Sequence, residues 1–320
     1  DITDHVANGK VGGWLDMRDE VLTKYKKDLD ALVKEFVWTV NRQHSQGVGL
    51  EAFGTVTGTY ASSSCDKAVG TSDSGLTFYD KVKDGSFKIW LYDENGEVVI
   101  PGGTTISIDA DTTPLYDSDP ATADIVSKIN EIDPSITATI DGGRLRITAS
   151  NGCTFAFSED TSNVLAAIGV NTLFTGSTAG GISVNTVIGS DKNCIAAAQI
   201  DDNGAFASGD NTNAIAISDL QYAATNISQW TCDRLNGESE GSVNATIEDY
   251  YHSMVSSIGI KSSSISRGRT FNEVMVNKLG GIRDSISAVS LDEEMTNLMK
   301  FQHAYAAAAK LIGISDEMLT

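Results

Sequence analysis

A chain of 320 residues has room for two domains with separate cores, and a hydrophobic share of 41% beside a charged share of 21% is globular in character. A net charge of −20 with no cluster of lysines or arginines leaves nothing to neutralise phosphates, so nucleic acid is excluded as a partner and the acidity reads as a solubility device. No apolar run approaches the roughly 18 residues of a bilayer-spanning helix, and no membrane partner is expected.

The first element is a helix from about Gly13 to His44. Leu15, Leu22, Tyr25, Leu29, Leu32 and Phe36 form an apolar seam, continued by Val33, Val37 and Val40, while "TKYKKDLDALVKE" places charges on a face expected to meet solvent. Gly47 and Gly49 end it.

Composition then turns to strands. "SFKIWLYDENGEVVI" alternates around Glu94-Asn95-Gly96, and "SITATIDGGRLRITAS" around Asp141-Gly142-Gly143, each a hairpin pattern. "CTFAF" at 153–157 adds a strand, and short helices are expected near 121–132 and 160–169, the second with Asp160 or Thr161 as its cap. Ser, Thr and Gly accumulate over 175–190, as in a linker.

Helices return with "NTNAIAISDLQ", then a soft stretch at 236–242 and a stripe of Val243, Ile247, Tyr250, Met254 and Ile258. A second stripe, Met275, Leu279, Ile282, Ile286 and Val289, is weakened by Gly280-Gly281. Ser290 and Glu293 form a capping box, after which Leu291, Met295, Leu298, Gln302, Tyr305, Ala309 and Ile312 recur at heptad spacing with one polar layer at Gln302. The fold class expected is α+β and multidomain. Residues 1–70 and 186–320 would form a discontinuous, elongated antiparallel helical bundle, with 71–185 a β-rich inserted outer domain. The two seams are the candidate assembly surface.

Chemistry is sparse. His5, His44, His252 and His303 are scattered, without metal-ligand spacing. The acidic loop 109–124 fails the calcium-loop pattern, since prolines fall at its sixth and twelfth positions, and is read as solvated. "SDSGL" at 72–76 lacks histidine and aspartate partners for a nucleophilic serine, and the glycines at 47, 49 and 54 make no phosphate loop. Cys65, Cys153, Cys194 and Cys232 contain no C-x-x-C pair and read as free thiols, with Cys65 and Cys194 the one pair worth testing for a disulfide. No catalytic residue, cofactor or metal is expected.

Three stretches carry a resemblance. Gly12-Gly13, Arg18-Asp19, Asn41, Gln43-His44 and Gly47 in the first helix, "GDNTNAIAISDLQ" at 209–221, and Leu291–Glu294 with Phe301-Gln302 and Tyr305 resemble the flagellar hook-associated protein 1 family, the hook–filament junction proteins. The resemblance implies a structural subunit exported by the flagellar type III system to the cell exterior. Its implied partners are copies of itself in a ring, the hook protein, the second hook–filament junction protein, and an export chaperone bound through the C-terminal end. It further implies that the chain is a core piece, since the family extends before Asp1 and past Thr320; with those terminal helices missing and the heptad seam expected to pack internally on the Gly13–His44 helix, the piece should be monomeric. Another axial protein, hook-associated protein 3 or flagellin, is the alternative, as is glycan binding through Trp90, Tyr92 and Tyr116 in the insert.

Overall fold

The computed structural model describes residue 6, residues 9–287 and residues 290–319, and divides into two units, 1–254 and 255–320. Expectations resting on His5 and Val289 lie outside the described residues.

The first unit opens with α1 (Gly9–Asp16), a π-helical turn (Met17–Leu22) and α2 (Thr23–His44), so the expected long helix is present but widens by one turn near its start. Two small antiparallel sheets follow. In one, β2 (Gly85–Tyr92) lies between β3 (Thr104–Ile108) and β6 (Thr154–Ser158). In the other, β4 (Ile136–Asp141) and β5 (Arg144–Ala149) form the hairpin expected at Gly142-Gly143, and β1 (Thr55–Thr57) adds to the far edge of β5. The Glu94-Asn95-Gly96 turn also forms, the Asp93 N–H donating to the Glu97 carbonyl at 2.9 Å. Its return arm makes a single bridge, Tyr92 to Val98, before β3 takes over the edge of β2.

The short helices shrink to α3 (Ile125–Asn130), capped by Asp124 accepting the Ser127 N–H at 2.7 Å, and α4 (Val164–Ile168), where Asp160 accepts the Leu165 N–H at 2.9 Å. The stretch read as a linker holds β7 (Phe174–Thr175), β8 (Ser183–Val184) and α5 (Thr186–Ser190).

One core joins these parts. Val37 and Trp38 of α2 are buried with Phe78, Phe87, Leu145, Phe155, Phe157 and Val164, the Trp38 and Phe78 rings lying 5.4 Å apart. By its contacts the structure divides at 254, and α2 is part of the core that the strands of 71–185 build. Burying an indole there contributes several kcal/mol.

After α6 (Thr212–Asp219) comes a hairpin that the sequence reading missed: β9 (Thr225–Asp233) pairs with β10 (Gly237–Ala245) over nine residues each. It stands where a soft stretch was expected, and Val243, assigned to a helical stripe, lies in it. The signal was Asn236-Gly237 following the alternation of "NISQWTC", and Gly237 has the positive φ of +86° that such a turn requires. Ile227 of β9 packs on Leu32 of α2 and on Tyr250, at the start of α7 (Ile247–Ser287). Burial raises the Tyr250 hydroxyl to about 12, and that hydroxyl donates to the Ser228 carbonyl at 2.9 Å.

The hairpin also corrects the reading of the charged face of α2. Asp28 and Glu35 are buried. Asp28 pairs with Lys24 and accepts the Trp230 N–H at 2.8 Å; Glu35 accepts from Lys81 at 2.8 Å and from the Thr225 hydroxyl at 2.7 Å. Each carboxylate compensates its desolvation with an ion pair and a hydrogen bond to β9.

At its other end α2 meets the returning chain through buried polar groups. The amide of Asn41 both donates to the Phe174 carbonyl and accepts the Phe174 N–H, each at 2.9 Å. His44 is fully buried; its Nδ1 lies 2.8 Å from the Asn171 carbonyl and its Nε2 accepts the Ala196 N–H at 3.0 Å. Nδ1 must then carry the single ring proton. Gln43 donates to Asn213, which donates to the Ala196 carbonyl. Gly47 and Gly49 are required by closeness: a Cβ would lie 2.2 Å from the Asn213 amide nitrogen and 2.0 Å from the Asn193 carbonyl oxygen.

In the second unit α7 runs on to Ser287 without a break at Gly280-Gly281, and α8 (Leu291–Glu317) starts where Ser290 accepts the Glu293 N–H at 3.4 Å.

Two outcomes are expected. Trp38→Ala should lower the stability of the first unit by about 3–5 kcal/mol in urea titrations, and residues 71–185 expressed alone should lack cooperative unfolding, because their core is completed by α2. Burial holds the His44 pKa below its ordinary value, so the unfolded chain binds a proton that the folded chain refuses. Its contribution to stability is therefore complete above pH of about 6.5 and declines as pH falls below it, by at most about 1.4 kcal/mol per pH unit for one proton. Asp160, raised by burial, acts in the opposite sense. Urea midpoints should fall from pH 7.5 to 5.5 in the native chain and change less in His44→Gln.

Candidate assembly surfaces

The two predicted seams occupy different surroundings. In the first, Leu32 is buried, Leu29 packs beside it, and Phe36 rests on Phe174 with rings 5.4 Å apart. Leu15 is half-buried and Leu22 is exposed, because the π-helical turn between them shifts the phase of the stripe.

The second seam is uncovered. Leu291 and Tyr305 are 79% exposed, Leu298 58%, and Met295, Gln302 and Ile312 are exposed as well. The α7 stripe of Met275, Leu279, Ile282 and Ile286 is exposed in the same way. A stripe of large apolar side chains on helices of 41 and 27 residues is far beyond the scattered exposure of an ordinary surface. Each such side chain contributes about 1.5–3 kcal/mol once covered.

Within the first unit, Leu32, Phe36, Val40, Phe174, Ile217 and Tyr251 line an apolar groove of about 680 Å³ beside α2. Sequence periodicity could not reveal this groove, because it arises where β7 and α6 meet α2.

Among the described residues no three metal-binding side chains converge, and no helix is long and apolar enough to cross a membrane. Ser74 of "SDSGL" is buried with its hydroxyl donating to the Thr71 carbonyl at 2.8 Å. Carboxylates of the acidic loop serve turns: Asp109 accepts the N–H groups of Asp111 and Thr112, and Asp119 that of Ala121. Cys65, Cys153, Cys194 and Cys232 are free thiols, so the pair Cys65 and Cys194 is unlinked. Trp90 and Tyr92, candidates for sugar stacking, are buried in a small core with Val48, Ala156 and Ala198, the Trp90 ring donating to Ser158 at 2.8 Å; only Tyr116 is exposed.

Comparison with known proteins bears on both ends of the chain. Residues 1–59 match the family model described as the flagellar hook-associated protein FlgK helical domain, and residues 284–320 match that of the flagellar basal body rod FlgEFG protein C-terminal. Among curated proteins, flagellar hook-associated protein 1 of Bacillus subtilis is 42% identical over 74 residues, 23% of this chain and 15% of the relative. The protein of that name from Escherichia coli is 31% identical over 187 residues, 54% of this chain and 31% of the relative, and that from Salmonella typhimurium 33% identical over 75 residues. The chain spans less than a third of the length of each of these relatives. Both ends of the chain thus match flagellar family models, and parts of it are similar to flagellar hook-associated protein 1 of three genera.

Proposed function

We propose that this chain is a non-catalytic structural subunit of the bacterial flagellum that joins hook to filament and is needed for the filament to assemble. The observation that carries the reading is the uncovered stripe of α8, inside the segment that matches the rod-protein C-terminal model. Long helices presenting apolar seams to water are suited to packing against other helices, and in this reading the partners are copies of the chain in a ring, with hook protein and the second junction protein on either side. Residues 71–185 would face outward. The subunit would reach the cell exterior through the flagellar type III system, escorted by a chaperone held near the C-terminal end.

Leu298→Asp combined with Tyr305→Asp tests the reading. Both positions are exposed, so urea unfolding of the first unit, followed by Trp38 and Trp90 fluorescence, should move by no more than about 0.5 kcal/mol. In a strain deleted for its own hook-associated protein 1, the matching variant should fail to retain filaments. Filament attachment at the native level with both charges present would overturn the proposal.

A further inference from the structure

The π-helical turn at Met17–Leu22 is held from outside the helix. A π turn is rare and appears mostly as a single turn inside an α-helix, so the groups that surround it bear on why it forms. Three contacts hold it here. The Thr23 hydroxyl donates to the Arg18 carbonyl, five residues back, at 2.9 Å. The guanidinium of Arg234 grips the carboxylate of Asp16 at 3.0–3.1 Å from two nitrogens. The backbone N–H of Arg234 donates to the carboxylate of Glu20 at 3.2 Å. Asp16 immediately precedes the turn and Glu20 lies within it, and Arg234 sits at the tip of the β9–β10 hairpin with its side chain only 7% exposed.

The hairpin tip is itself fixed. Asp233 accepts the N–H groups of Leu235 and Asn236, shaping the tip. Further down, Lys27 of α2 pairs with Glu238 and lies over the Trp230 ring, 4.1 Å from its centre. The tip is thus anchored to α2 at one point and grips the turn at another, which lets it fix where α1 stands relative to α2. On α1, Val11 and Trp14 form an exposed apolar pair one turn apart.

We propose that Arg234 is a register clip: by holding Asp16 and Glu20 it keeps the helix in its π form and so sets the direction faced by Val11 and Trp14. A π turn adds one residue to the helical count. Its loss would turn α1 by about 100° relative to α2, the step of one residue in an α-helix. The hairpin and the apolar pair are then coupled. Whatever pulls Arg234 from Asp16 re-aims Trp14, and whatever fixes Trp14 in a new direction weakens the grip of Arg234. This device does not depend on the chain being a flagellar subunit.

The test uses the full chain labelled with 15N and 13C, compared with Arg234→Ala and, as a milder change on the exposed side, Asp16→Asn. In the native chain, NOE contacts across Met17–Thr23 should connect residues five apart. In both variants they should give way to contacts four apart, and the Trp14 indole resonance should shift. The Trp230 and Tyr250 resonances report that the hairpin remains seated. Arg234→Lys, which keeps the charge, should restore part of the π pattern. An unchanged five-residue pattern in both variants, with the hairpin seated, would overturn the proposal by showing that Thr23 and the local sequence suffice. A hairpin unseated in Asp16→Asn would also overturn it, since Arg234 would then hold the sheet and not the register.

Discussion

Buried polar groups at the C-terminal end of α2 hold the first unit together. His44, Asn41 and Gln43 hydrogen-bond to Asn171, Phe174, Ala196 and Asn213, so one end of a single helix gathers chain separated from it by more than a hundred positions. Asn41, His44, Asn171 and Asn213 have left water, and each is stable only while its partner is in place. Hydrophobic burial drives the sheets onto Val37 and Trp38 without choosing one alignment, whereas His44 accepts at one nitrogen and donates at the other and tolerates a single arrangement. Gly47 and Gly49 serve the same closure, since any side chain there would occupy the space of Asn213 and Asn193.

A second set of groups works along the middle of α2. Asp28 and Glu35 are carboxylates on a helix face that pattern alone assigns to solvent, and the hairpin of β9 and β10 turns them into buried acceptors. Periodicity shows which residues are charged but not which charges another element will cover. That information lies in Trp230 and Thr225, some two hundred residues later.

Legibility in the sequence followed contact range. The β4–β5 hairpin, the helix start at Ser290 and the C-terminal end of α2 were readable because turn glycines, caps and periodicity act within a few residues. The β9–β10 hairpin carried a comparable signal in Asn236-Gly237 but was obscured by helical stretches on both sides. The shared core of α2 and the strands was not readable, since Trp38 meets Phe78 only in three dimensions. Asn41, Gln43 and His44 were noticed through resemblance, and the structure supplies their physical role. Arg234 stood out by no local rule, because its partners Asp16 and Glu20 lie more than two hundred residues away.

The division at Met254 has an electrostatic counterpart. From Val255 onward, Lys261, Arg267, Arg269, Lys278, Arg283, Lys300 and Lys310 are matched one for one by Glu273, Asp284, Asp292, Glu293, Glu294, Asp316 and Glu317. The whole net charge of −20 therefore belongs to the first unit, while the unit that exposes the apolar stripes is neutral. Like-charge repulsion therefore falls on the first unit, while α8 and the adjoining length of α7 carry no net charge. Net charge thus opposes contact through the acidic unit and sets no such barrier for the neutral helices.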